Sequence, residues 1–232
     1  MKTCKIKAPF FEIGPKSYLY GDEILELALA ADAASAKYGV DIIFTCPVVD
    51  IRRVKEATKH IHVFAPHMDP IPVGRGTADT LAEALVAAGA EGTQLNHVEK
   101  PLDFDTLAAT IARAKEVGLM TMVCADSMAE ASKITTLKPT VVVAEPSELI
   151  GTGGSVGPEY VEAAMKSVKN VNENILVLTA AGISNGTDVY NTIIAGADAT
   201  GSSSGVAKAA DRPAMVDEMI GACRAAWDKA HA

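Results

Sequence analysis

Residues 140–145 read Thr140-Val141-Val142-Val143-Ala144-Glu145, and residues 175–178 read Ile175-Leu176-Val177-Leu178. Neither run alternates apolar with polar residues. A strand that is apolar on both faces is buried on both faces, as in a parallel sheet covered by helices. Such short apolar runs recur at 5–13, 41–46, 60–65, 92–96, 119–125, 140–145, 175–181 and 197–201. Between them apolar residues fall three and four apart, as in Thr106-Leu107 followed by Ile111-Ala112 and Ala114. That spacing predicts helices over 22–37, 78–88, 104–117, 128–137, 158–169, 187–195 and 213–229, with a weaker one at 49–58. Gly39, Gly89, Gly118 and Gly196 stand where four of the helices should stop. Eight strand–helix units with no linker or low-complexity segment between them predict one α/β domain over residues 1–232, a closed (β/α)8 barrel. The rival is an open doubly wound sheet, which usually carries fewer strands for this length of chain.

The composition narrows the partners. The 232 residues are enough for a sizeable core, and 49% of them are hydrophobic. A formal net charge of −8 gives no global attraction for nucleic acid or anionic lipid, and aromatics at 5% are scarce for base stacking. No run approaches the roughly 18 apolar residues of a membrane span, and the first residues, MKTCKIKAPFFEIG, lack the apolar core of a signal peptide. Cys4, Cys46, Cys124 and Cys223 are far apart and form no CxxC pair, which argues against a zinc site and a disulfide framework. The expectation is a soluble cytoplasmic protein with reduced thiols, no nucleic-acid partner and no membrane.

Barrel enzymes place their chemistry where the strands end. Strand 1 ends near Gly14-Pro15-Lys16, strand 3 in Pro66-His67-Met68-Asp69, strand 4 in Asn96-His97-Val98-Glu99 and strand 6 in Glu145-Pro146. Strand 7 runs into Gly182-Ile183-Ser184-Asn185-Gly186, and strand 8 into Gly201-Ser202-Ser203-Ser204-Gly205. One Gly/Ser run would read as an ordinary turn. Two in consecutive units, each beside a helix start, read as backbone N–H groups collected around a phosphate. Glu145 follows four apolar residues, a setting that raises a carboxyl pKa and suits a general base. The segment after it, Ser147-Glu148-Leu149-Ile150-Gly151-Thr152-Gly153-Gly154, mixes apolar residues with glycine hinges as a closing lid does. His97 falls on the same rim as Glu145, whereas His60 and His62 fall on the opposite one. His67, Asp69 and His97 have no metal-ligand spacing, so no metal is expected.

Taken together these motifs resemble the triosephosphate isomerase family, in its short archaeal-type form, over essentially the whole chain and most strongly from residue 65 onward. The residues that carry the resemblance are Leu95-Asn96-His97-Val98-Glu99, Ala144-Glu145-Pro146-Ser147-Glu148-Leu149-Ile150-Gly151-Thr152-Gly153, Gly182-Ile183-Ser184-Asn185-Gly186 and Ser203-Ser204-Gly205-Val206-Ala207-Lys208, with Cys124 near the base. The resemblance implies a (β/α)8 TIM barrel that isomerises a small sugar phosphate through an enediolate, without metal or organic cofactor. It implies that Glu145 removes the proton, His97 polarises the carbonyl, Lys16 supplies positive charge and Glu99 is a neighbouring active-site carboxylate. Ile150, Gly151 and Gly153 would hold the phosphate from the lid; Gly182, Ile183 and Ser184 would hold it from one loop, and Ser203, Ser204 and Gly205 from the other. The family is the familiar example of a carboxylate base working with a neutral imidazole. The long loop from His67 to Thr77 resembles the one that the family inserts into a neighbouring subunit, which implies a homo-oligomer, dimer or tetramer.

Two positions depart from the pattern. The family's strand-1 motif is Asn-x-Lys, and here it reads Gly14-Pro15-Lys16; Pro66 stands where the short form often has Gln. The missing amide removes a donor and opens space at one end of the site, which keeps a larger substrate such as a tetrulose phosphate in play. Two further readings are weaker. A non-catalytic phosphosugar-binding protein would be expected to have lost part of the Lys16, His97, Glu99 and Glu145 set. An aldolase would carry a Schiff-base lysine on strand 6, which has none.

Overall fold

The computed structural model describes residues 6–146, 157–180 and 182–232. Eight parallel strands follow one another in chain order: β1 (Phe10–Ile13), β2 (Asp41–Thr45), β3 (Ile61–Ala65), β4 (Gly92–Leu95), β5 (Met120–Ala125), β6 (Val141–Ala144), β7 (Leu176–Thr179) and β8 (Ala199–Ser202). β8 pairs back onto β1, from Phe10 opposite Ala199 to Ile13 opposite Ser202. That closure rules out the open doubly wound sheet. The helices are α1 (Asp22–Tyr38), α2 (Ile51–Ala57) entered through a 3₁₀ turn at Val48–Asp50, α3 (Ala82–Ala88), α4 (Phe104–Val117), α5 (Met128–Thr135), α6 (Pro158–Lys169), α7 (Gly186–Ile194), α8 (Ser204–Ala207) and α9 (Arg212–Ala230).

Apolar residues sort into two clusters by strand face. Phe10, Ile43, Phe64, Met122, Val141, Val143, Leu178 and Ala199 fill the inside of the barrel. Phe11, Ile42, Phe44, Val63, Val123, Val142 and Val177 face outward against the helices. Large and small residues alternate inside: Phe64 lies against Gly92, where a β-carbon would stand 2.4 Å from the ring. Local chemistry sets the helix ends. The Asp103 side chain accepts the Thr106 N–H at 2.9 Å to start α4. Gly118, with φ 81°, takes the left-handed turn that stops it.

Most boundaries lie within a few residues of the sequence reading, and some of the shifts bear on the site. Of the described part of the run expected over 5–13, β1 takes up Phe10–Ile13 and leaves out residues 6–9, because Pro9 has no N–H to give the ladder. α3 begins at Ala82 rather than 78: Thr80 is held by Asp69, accepting the Asp69 N–H with its carbonyl and donating its own N–H to the carboxylate at 2.7 Å. β8 extends to Ser202, and the Ser203–Gly205 run opens the short helix α8 instead of forming a plain loop.

Candidate active site

Inside the barrel the polar residues gather at the C-terminal end. Thr45 lies two residues beyond inward Ile43, and Glu145 two beyond inward Val143. Glu12, Thr45, Gln94 and Glu145 border a cavity of about 840 Å³ together with Lys16, His67, His97, Glu99, Gly182, Ile183, Ser184 and Ser202–Gly205. Its floor is made of residues within the strands: Glu12, Gln94, Met122, Val143, Leu178 and Gly201. The size suits a small ligand. The candidates on Lys16, His97, Glu99, Glu145, Gly182, Ile183, Ser184, Ser203, Ser204 and Gly205 thus come together around one space. Ile150, Gly151 and Gly153, and the lid read over 147–154, lie outside the described residues.

His97 is held in one tautomer. The Glu99 N–H donates to His97 Nδ1 at 3.1 Å, so the proton of the neutral ring sits on Nε2. Burial, and then the charge of Lys16, push the imidazole below its usual pKa, with Glu99 acting the other way. Lys16 Nζ donates to Glu99 Oε1 at 2.9 Å, which holds the Glu99 carboxyl below the usual carboxylate range. Lys16 has φ 48°, an unusual backbone for a non-glycine residue and of the kind found at functional sites. Burial raises the Glu145 pKa from 4.5 to about 7; Lys16 opposes the rise and Glu99 adds to it. The site therefore holds a carboxyl poised at neutral pH, a neutral imidazole and an ammonium group on one cavity.

The two Gly/Ser segments pack against each other. A β-carbon on Gly205 would lie 2.6 Å from the Ile183 carbonyl oxygen and 2.6 Å from Ser202 Oγ. Ser202 Oγ donates to that same carbonyl at 2.8 Å. Only glycine at 205 lets the loops after β7 and β8 close to this spacing. The Ser203 hydroxyl is buried beside the cavity without a partner among the described residues. Ser184 differs: its N–H and its hydroxyl both reach Asp188 Oδ2, at 3.0 and 2.9 Å.

Several residues of the site escape a reading that looks only at strand ends. Asn96 adopts φ 57°, which Asn tolerates. Its amide donates to the Cys124 carbonyl at 2.9 Å and to Glu130 at 3.1 Å, while its oxygen accepts the Leu102 N–H at 2.9 Å. It thereby ties the end of β4, next to His97, to β5. His67 pairs with Asp69 at 3.0 Å while lining the cavity, so it belongs to the site wall as well as to the loop. Glu12 is the largest omission. The space expected beside Gly14 is not empty: a β-carbon at Gly14 would stand 2.7 Å from Glu12 Oε1. A lone carboxylate within Phe10-Phe11-Glu12-Ile13, two residues from inward Phe10, was the available signal. Among the described residues no three His, Cys, Asp or Glu side chains converge as a metal site requires.

The family model of triosephosphate isomerase matches residues 15–220. The chain belongs to the triosephosphate isomerase family. It is 34% identical over 220 residues to the triosephosphate isomerase of Sulfurisphaera tokodaii, covering 93% of this chain and 95% of that one. It is 34% identical to the Saccharolobus solfataricus enzyme of the same name, over 93% and 96% of the two chains. Against that of Methanocaldococcus jannaschii the identity is 36%, over 86% and 92%. Membership in this isomerase family covers β2 to β8 and reaches into β1's loop at Pro15, the residue after Gly14.

Proposed function

We propose that the chain is a triose-phosphate isomerase that interconverts dihydroxyacetone phosphate and glyceraldehyde 3-phosphate. The observation that carries the reading is Glu145, poised at about pH 7 on the same cavity as neutral His97 and Lys16. Glu145 takes a proton from the carbon beside the carbonyl, and the electron pair moves onto the carbonyl oxygen. His97 Nε2–H hydrogen-bonds that oxygen, and Lys16 offsets its developing charge. His97 then passes a proton to that oxygen and takes the proton of the neighbouring hydroxyl, and returning the proton from Glu145 to the neighbouring carbon completes the isomerisation. Ser203, Ser204, Gly205 and Gly182–Ser184 take the phosphate, with Ile150, Gly151 and Gly153 closing over it and excluding water from the enediolate. No cofactor enters this scheme. A tetrulose phosphate is the second reading, but the space that favoured it holds the Glu12 carboxyl.

The test is direct turnover of both trioses, with Glu145→Gln as control. If exchange of the substrate's carbon-bound proton with solvent continues undiminished in Glu145→Gln, the base is assigned wrongly.

We also place the protein in the cytoplasm, as a homo-oligomer joined through the 67–77 loop. Among the described residues no helix is long and apolar enough to cross a membrane, and Cys46, Cys124 and Cys223 are free and buried. The loop presents Val73, 70% exposed, between prolines and glycine. Val73→Asp should shift the mass measured by light scattering towards the monomer; an unchanged mass removes this loop from the interface.

A further inference from the structure

Glu12 sits on the cavity floor in a slot made by two glycines. A β-carbon on Gly14 would meet Glu12 Oε1 at 2.7 Å. One on Gly201, its cross-strand partner on β8, would meet Glu12 Cβ at 2.9 Å and Oε2 at 3.1 Å. A side chain at Gly14 would have to displace the carboxyl, and one at Gly201 would press on the Glu12 β-carbon and its backbone carbonyl, 2.9 Å away, as well. Thr45, which also lines the cavity, places its buried hydroxyl beside the Glu12 carboxyl.

We propose that Glu12 is a further substrate-facing residue: from the cavity floor its carboxyl hydrogen-bonds an oxygen of the bound sugar phosphate, with the Thr45 hydroxyl beside it. The inference rests on the sugar-phosphate reading of this site.

Three observations support it. A carboxyl is a poor filler, because burying it carries a desolvation penalty that an apolar residue would avoid. Glu12 is not sealed in the core but open to the cavity that holds Glu145 and His97. Its protonation state also suits a donor. Burial raises its pKa from 4.5 to about 7; the Thr45 hydroxyl lowers it, Glu145 raises it and Lys16 lowers it. The groups facing it are Thr45 on β2, Lys16 after β1, Glu145 after β6 and Cys124 on β5, whose thiol burial, Glu145 and Glu12 push up. The charge of Glu145 adds to burial at Glu12, so an ionised Glu145 favours the protonated form of Glu12. The two carboxyls then divide the work, with Glu145 accepting a proton from carbon and Glu12 donating a hydrogen bond to oxygen.

The test compares Glu12→Leu and Glu12→Gln with the parent protein on glyceraldehyde 3-phosphate. kcat and KM are measured separately from about pH 5 to 9, with thermal unfolding as the fold control. Glu12→Leu should lose on the order of 10²-fold in kcat/KM while unfolding no earlier than the parent. Glu12→Gln keeps a donor and should lose at least about tenfold less. Its kcat/KM should also stay level above pH 7, where that of the parent falls as Glu12 ionises. Gly14→Ala should impair the parent by displacing the carboxyl but cost nothing further in a Glu12→Ala background. A Glu12→Leu protein that keeps kcat/KM within about threefold and unfolds at a higher temperature overturns the inference, because Glu12 is then only filler. An alkaline fall that persists in Glu12→Gln overturns it too. If the parent turns over neither triose, the functional reading fails separately. Glu12 is then judged by calorimetric binding of glycerol 3-phosphate: at least tenfold tighter binding by the parent than by Glu12→Leu supports the inference, on the order expected for a lost hydrogen bond, and equal affinity overturns it.

Discussion

At the N-terminal ends of the strands Asp198, Glu91 and Asp32 all have partners; at the C-terminal ends Glu12 and Glu145 lack enough positive charge to offset their burial. Asp198, just before β8, accepts the Val177 N–H at 3.0 Å and pairs with Lys169 at 2.8 Å. Glu91, just before β4, meets Lys55 at 2.5 Å and His62 at 2.9 Å. Asp32 of α1 accepts the N–H groups of Lys59, His60 and Ile61 where β3 begins. At the other end, burial outweighs the available positive charge, and Glu12 and Glu145 are both pushed to about 7. The Ser203 hydroxyl there is buried without a partner among the described residues. One rim fastens the strands to the helices. The other keeps polar groups waiting for a ligand, which is how this fold separates stability from chemistry.

The largest break in that comparison is Glu145→Gln. Turnover should fall by on the order of 10³-fold, the scale of a lost general base. Stability should move the opposite way, and the sign follows from the raised pKa. The folded protein holds the Glu145 proton up to about pH 7, whereas the unfolded chain releases it near 4.5. Stability linked to this group is therefore full below pH 4.5, declines as pH rises to about 7 and stays low above it. Glu145→Gln removes that loss, so at pH 8 it should be roughly 1–3 kcal/mol more stable than the parent, with little difference at pH 4. Denaturant unfolding at both values checks this, and a variant destabilised at pH 8 would contradict the burial argument.

A smaller break lies in the loops. Gly205→Ala drives a methyl group into the Ile183 carbonyl and separates the two segments assigned to the phosphate. KM should rise by about tenfold or more with a smaller change in kcat, since the lost contacts hold substrate and transition state alike. A pure kcat defect would mean that these loops act on the chemistry and not on phosphate binding.

The contrast between the rims also explains what could be read from sequence. Eight strands were visible because two-sided burial leaves runs such as Val141–Ala144, and the register put Glu145 and His97 on one rim. The motifs beside them carried the family. What escaped was set by packing across the barrel. The two-residue spacing from Phe10 places Glu12 inward, but nothing local shows the slot between Gly14 and Gly201, since those glycines come from both ends of the chain and meet only when β8 closes onto β1. Asn96 needed its left-handed backbone and three partners on β5, α5 and the loop before α4 to show its role. The gap expected beside Gly14 is taken up by Glu12, whose carboxyl stands where a side chain at 14 would begin.

The smallest effect on turnover is expected at the opposite rim. Asp198→Asn keeps the shape and an oxygen for the Val177 N–H but removes the charge that holds Lys169. The Asp198 side chain is only 15% exposed and that of Lys169 28%, so the pair is screened less than a surface ion pair. Its loss should destabilise the protein by about 1–2 kcal/mol, between the worth of an exposed pair and that of a fully buried one. Among the described residues Asp198 hydrogen-bonds none that lines the cavity: its carbonyl accepts the Phe10 N–H, two residues below Glu12, and its carboxylate accepts the Val177 N–H. kcat and KM should therefore stay within a factor of about two when measured well below the unfolding temperature. A tenfold loss of turnover would show that the strand ends are coupled through β1 and would end the separation between the rims. Unchanged turnover with the expected loss of stability would locate the functional charges at the C-terminal end alone.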